Sequence, residues 1–118
     1  MNQIMSLNIR GIGDGPKSHC LRDLILDSKC NIFLAHETLC LRKKALKIFL
    51  NYRIGWYAAA TDSNGHSGGL ITMWDPGWFT FKAYSFSGGI LLSGHMRGRA
   101  EPINIINLYA PYAGRLSF

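Results

Sequence analysis

The feature that most constrains the fold is Ile32-Phe33-Leu34-Ala35, four consecutive apolar residues set between Asn31 and the polar pair His36-Glu37. A run this short and this apolar reads as a strand buried on both faces, the habit of parallel pairing. Upstream, Ile4 to Ile9 reads as another short strand. It runs into Arg10-Gly11-Ile12-Gly13-Asp14-Gly15-Pro16, where three glycines and a proline predict a loop. Between the two strands, Leu21, Leu24 and Ile25 fall on one helical face, with Ser18 expected as the N-cap. Strand, helix and strand make a βαβ unit, which crosses over right-handed. Asn8 and Glu37 then lie at the carboxyl ends of neighbouring strands, the edge where open α/β sheets bind ligands.

The next segment, Leu41 to Leu50, predicts a second helix. Leu41, Ala45, Ile48 and Phe49 form its apolar stripe, and Arg42, Lys43, Lys44 and Lys47 its outer side. Such a basic face is ordinarily just solvated, and contact with nucleic acid is the other reading. From Tyr52 the pattern becomes β-rich. Strands are expected over 52–60, 70–74, 78–84, 90–96 and 103–109. They are separated by the polar, glycine-rich stretch 61–69, by Asp75-Pro76-Gly77 and by Ser87-Gly88-Gly89. The strand at 103–109 is apolar enough to belong inside a sheet, covered on both faces.

A chain of 118 residues is one small domain or part of a larger one. Charged residues are 17%, against about 25% in an average domain, and 12% are aromatic, which excludes intrinsic disorder. No apolar run approaches the roughly 20 residues that cross a bilayer. Asn2, Gln3, Asn8 and Arg10 interrupt any signal-peptide core. An intracellular location, nuclear or cytoplasmic, and no membrane partner are therefore expected. Cys20, Cys30 and Cys40 form no Cys-x-x-Cys pair and are expected as reduced thiols. The net charge of +6 suits a polyanionic partner.

Four short motifs stand in order: Ser6-Leu7-Asn8-Ile9-Arg10-Gly11, Ile32-Phe33-Leu34-Ala35-His36-Glu37-Thr38, Ser67-Gly68-Gly69, and Asn107-Leu108-Tyr109-Ala110-Pro111. Together they resemble the endonuclease/exonuclease/phosphatase family, with its DNase I-like and apurinic-endonuclease-like members. The likeness is nearest to the endonuclease domain of plant LINE-type non-LTR retrotransposons. Asn64-Gly65-His66-Ser67-Gly68-Gly69 leading to Trp74-Asp75, and Arg115 after the Tyr-Ala-Pro motif, add to that match.

The resemblance implies an α/β fold, the N-terminal half of a DNase I-like four-layer α/β sandwich: one mixed sheet with two flanking helices. It also implies a partial domain over 1–118, cut short after the Tyr-Ala-Pro strand, and hydrolysis of phosphodiester bonds in DNA with Mg²⁺. By the same resemblance, Glu37 is the metal ligand. Asn8 holds the metal-site network and the scissile phosphate, and Tyr109 orients the phosphate. Arg10, His36, Asn64 and Ser67 are candidate substrate contacts. Taken singly, Asn8 equally suits a cap on the glycine loop, Glu37 an exposed carboxylate ending a strand, and Tyr109 a core aromatic whose hydroxyl reaches the surface.

The sequence departs from the family at Leu7 (usually Trp), His36 (usually Gln) and Leu39 (often Lys). The family's later Gly-Asp-x-Asn and Ser-Asp-His motifs do not follow Tyr109. These departures imply a catalytically incomplete fragment, with an inner sheet face left bare and a tendency to self-associate. Two other readings stand beside it: a minimal nuclease completed by dimerisation, and a non-enzymatic basic module that binds nucleic acid.

Overall fold

In a computed structural model, residues 3–12, 15–64 and 67–109 are described. Gly13, Asp14, Gly65, His66, Ala110-Pro111 and Arg115 lie outside them. The elements follow as β1 (Ile4–Asn8), α1 (Gly15–Asp27), β2 (Ile32–His36), α2 (Arg42–Tyr52), β3 (Tyr57–Asn64), β4 (Ser67–Trp74), β5 (Phe79–Phe86), β6 (Gly89–Met96) and β7 (Pro102–Leu108). The fold class is α/β, as expected. The mixed sheet has the order β1-β2-β4-β3, with β1 and β2 parallel and the other pairs antiparallel. The later strands do not join it. They form a second, antiparallel sheet of order β5-β6-β7, so the expectation of one sheet is corrected to two.

Strand alternation explains the layering. Phe33 and Ala35 of β2 face the helices, where they pack with Leu21, Ile25, Ala45 and Phe49. Ile32 and Leu34 face the other way, onto Phe79, Ile90 and Leu92 of the second sheet. The inner face expected to be bare is therefore covered. The outer face of the second sheet does leave large apolar groups exposed: Tyr84, Phe86, Ile106 and Leu108. Any self-association through an uncovered face would rest there. The expectation that β7 lies inside a sheet also fails, because it is an edge strand. Its apolar content reflects an inner face (Ile103, Ile105) packed on the core and an outer face left open.

Four local boundaries differ from expectation. Helix α1 begins at Gly15, not after Ser18, because a proline in the first turn loses no intrahelical bond. Only Leu21 and Ile25 of its expected stripe are buried, an i, i+4 pair, and Leu24 is 44% exposed. Leu41 sits at the N-cap of α2 and is 63% exposed. Tyr52 ends α2 rather than starting a strand, its ring edge-on to Phe49 at 5.6 Å. Finally, the described residues of 61–69, namely 61–64 and 67–69, are strand rather than loop. β3 runs to Asn64 and β4 starts at Ser67, so these polar residues belong to the end of a two-stranded hairpin with one edge in solvent.

Arg53, just past α2, ties the two helices together. Its Nη2 donates to the carbonyls of Ile25 (2.6 Å) and Ser28 (2.7 Å), and its guanidinium lies 4.8 Å from the Trp56 ring centre. These are the orphan acceptors at the end of α1, and a cation there also suits the helix dipole. Arg53→Ala is expected to cost about 1.5–2 kcal/mol, with Arg53→Lys recovering part of it. Urea denaturation of both variants checks this, and equal losses would show that the fork geometry is irrelevant.

Candidate metal and phosphate site

The parallel register sets Asn8 opposite His36, so both strands end at the same edge. The ladder continues past them: Ile9 N donates to His36 O (3.0 Å) and Gly11 N to Glu37 O (2.6 Å). The chain after β2 is also fastened to β4, with Thr38 N bonded to Gly69 O and Leu39 N to Gly68 O, both at 3.1 Å. Glu37 is thus held between two neighbouring strands rather than on a free loop.

This edge is strained. Among the described residues, the non-glycine residues with left-handed φ are Arg10 (49°), Glu37 (57°) and Leu39 (56°). Each such residue costs about 1–2 kcal/mol. Strain of this kind persists only where the surroundings over-determine it, and it gathers at functional sites. Here all three follow the carboxyl ends of β1 and β2. Gly68 and Gly69, with φ of 79° and 89°, face them on β4.

The candidate side chains fall into two groups along this edge. Asn8 and Arg10 are exposed, and His36 and Glu37 half-buried, at the ends of β1 and β2. The His36 ring is tied back to β1, Nδ1 lying 3.2 Å from Leu7 O. A carbonyl only accepts, so Nδ1 is the donor in this contact. Tyr109, Asn64 and Ser67 line an adjoining cavity of about 360 Å³ between the β3–β4 hairpin and the β5–β6 turn. Tyr109 N bonds Gly88 O at 2.8 Å, and a Cβ on Gly68 would lie 3.4 Å from the Tyr109 ring. Ser67 Oγ donates to Asn64 O at 3.2 Å, closing the hairpin end. Gly68 joins the groups, since Leu39 N is bonded to its carbonyl and the Tyr109 ring occupies the space beside it that a Cβ would meet.

The oxygen donors here are the Glu37 carboxylate and the Asn8 amide. Among the described residues, no three His, Cys, Asp or Glu side chains form a metal cluster. That donor set does not fit a caged ion or a soft metal. It fits Mg²⁺, which prefers oxygen, keeps several waters and is commonly held by one or two carboxylates plus a substrate phosphate. Cys40 stands three residues on. Burial pushes its thiol up, and the nearby Thr38 hydroxyl and Lys44 ammonium pull the other way but do less. It is therefore a poor thiolate and a poor ligand. The other two thiols, Cys20 and Cys30, are also free.

Two residues that the motifs contain, but to which the sequence assigned no role, support this edge. Asn107 is buried in β7, and its Nδ2 reaches across to the mixed sheet: Ala35 O (3.3 Å), Ile71 O (3.2 Å) and Thr72 Oγ1 (3.1 Å). It fixes β7 two residues before Tyr109. Thr38 is buried beside Glu37, its hydroxyl near the Cys40 thiol and seated against Gly69.

The structure is similar to that of the AP endonuclease LMAP from Leishmania major. The TM-score is 0.70 at 12% identity, over 98% of this chain and 43% of that one. The catalytic domain of Xenopus laevis APE2 is also similar, with a TM-score of 0.60 at 16% identity, over 92% of this chain and 45% of that one. The fold is that of the DNase I-like AP endonucleases. The chain spans less than half the length of either protein. No protein-family model and no curated protein sequence matches it. Among the described residues, no helix is long and apolar enough to cross a membrane.

Proposed function

We propose that this chain supplies the metal-binding and phosphate-binding part of a Mg²⁺-dependent, DNA-cleaving endonuclease domain of LINE retrotransposon type. The observation that carries the reading is Glu37. It is a carboxylate in a strained left-handed conformation, pinned by backbone bonds on both sides, at the edge where Asn8 also ends its strand. In this reading Glu37 anchors the ion, Asn8 bonds the scissile phosphate, and Tyr109 orients it from the adjoining cavity. Arg10, His36, Asn64 and Ser67 contact the flanking backbone. Bound Mg²⁺ would supply charge stabilisation at the phosphate and the leaving oxygen.

The 118 residues hold no Gly-Asp-x-Asn and no Ser-Asp-His. The groups that would orient the attacking water are therefore missing from this sequence, and each such term is worth orders of magnitude in rate. This chain alone is expected to bind metal and DNA with little or no turnover. Glu37→Gln should weaken Mn²⁺ binding in the presence of a duplex oligonucleotide at least about tenfold, the scale on which metal sites respond to altered ligation. Titration followed by Mn²⁺ paramagnetic resonance checks this, and an unchanged affinity would remove Glu37 from the site. Nicking of supercoiled DNA with Mg²⁺ is the companion assay. Rapid nicking abolished by Glu37→Ala would favour the intact minimal nuclease instead. A non-enzymatic basic module is the second reading, favoured by the cations of α2, and salt-dependent DNA binding with no metal binding at Glu37 and no cleavage is its mark.

A further inference from the structure

Helix α2 (RKKALKIFLNY) carries four cations and no acid, and so accounts for four of the six net positive charges of the chain. Three of them, Arg42, Lys43 and Lys44, occupy its first turn. Stability alone disfavours that placement. The amino end of a helix is already positive, and like charges packed on neighbouring turns repel. The N-cap is Leu41, which makes no capping bond. One carboxylate answers the helix start: Asp62 Oδ1 accepts from Arg42 N at 2.6 Å. No ion pair to Arg42, Lys43, Lys44 or Lys47 occurs among the described residues, where the one salt bridge is Arg22–Asp23.

The helix is oriented by its core face. Ala45 and Phe49 are fully buried, whereas Lys43, Lys44 and Lys47 fall within about a third of the circumference on the opposite side, all exposed. Its amino end adjoins the candidate site. Leu41 comes four residues after Glu37, Ser63 N bonds Cys40 O (3.0 Å), and Asp62 both bonds α2 and lines the Tyr109 cavity. From residue 43 to residue 47 the helix rises about 6 Å, comparable to the axial rise of two nucleotides of a duplex.

We infer that the Lys43, Lys44 and Lys47 face of α2, with Arg42 at its rim end, is a second DNA-backbone contact that extends the footprint from the Glu37 edge along the outside of the domain. This deepens the proposed function and rests on DNA being the polyanion. The face binds phosphates without reading bases, and a polyanion would answer the three lysines, which no carboxylate pairs among the described residues.

The test is fluorescence anisotropy of the 118-residue chain on a duplex oligonucleotide, across roughly 50–200 mM KCl. Two proteins are compared with wild type: Lys43→Gln/Lys44→Gln/Lys47→Gln and a control, Lys29→Gln/Lys82→Gln/Arg97→Gln, that removes as many exposed cations elsewhere. Circular dichroism confirms that each is folded. The α2 triple variant is expected to reduce the slope of log K against log salt by about 2–3, since each phosphate contact contributes about 0.9. The control should change it by less than about 1. An unchanged slope in the α2 variant, or an equal fall in the control, overturns the inference. Failure of the metal test at Glu37 with the α2 slope change intact would sink the nuclease reading and leave this surface standing.

Discussion

Asn107→Asp is expected to destabilise the fold by about 3–5 kcal/mol at neutral pH, the cost of an uncompensated buried charge. The native amide donates toward three oxygens, those of Ala35, Ile71 and Thr72, across the junction between the sheets. A carboxylate offers no donor there and faces those oxygens with negative charge. Domains of this size are stable by only about 5–15 kcal/mol, so a loss on this scale removes much of the margin. Acid should relieve the defect. In the folded variant the carboxyl is held protonated to a higher pH than in the unfolded chain, because burial and the facing oxygens disfavour its charge. Between those two values the folded state binds more protons, so stability falls as pH rises through the window and returns on acidification. Asn107→Leu has no such pH dependence and should cost about 1–3 kcal/mol, the penalty for leaving buried acceptors unpaired. Urea denaturation at pH 4 and pH 7 separates the two. A pH-independent loss in the Asp variant would mean that the amide does not bridge the sheets.

The βαβ start was legible because its two periodicities contrast: four consecutive apolar residues in β2 against an i, i+4 pair in α1. The parallel register that sets Asn8 beside His36 follows from that unit. The β3–β4 hairpin was not legible. Thr61, Asp62, Ser63 and Asn64 have loop composition, but an edge strand half in solvent tolerates the same residues, and pairing with β4 decides the outcome. The division into two sheets was equally hidden, since strand count alone does not say where a sheet ends. The three left-handed residues give no local sign, because Arg, Glu and Leu rarely adopt that conformation. Asn107 reads locally as a polar interruption in an apolar strand. Its partners lie 35 to 72 residues away, beyond the reach of any spacing rule.

Gly69→Ala is expected to cost about 2–4 kcal/mol and to disturb the Glu37 edge with it. The backbone at Gly69 has φ of 89°, a region where a Cβ is strained by about 1–2 kcal/mol. The added methyl would also collide with Thr38 Oγ1 and lie 3.2 Å from the Leu39 backbone nitrogen, and overpacking of this kind adds about 1–3 kcal/mol. Thr38 is fully buried and follows Glu37 directly, so its side chain cannot yield without moving the strained segment that positions the carboxylate. Gly68→Ala is the matched comparison. Its φ is 79°, but its Cβ would meet the Tyr109 ring at 3.4 Å, an ordinary contact, so it should carry the backbone strain without the collision. The double variant Gly69→Ala/Thr38→Ala separates the two causes, because removing the hydroxyl should restore the overpacking part and leave the strain. Thermal unfolding and Mn²⁺ affinity, measured together on all three, read both consequences. If Gly69→Ala unfolds no more readily than Gly68→Ala and binds metal as wild type does, β4 does not hold the Glu37 segment in place.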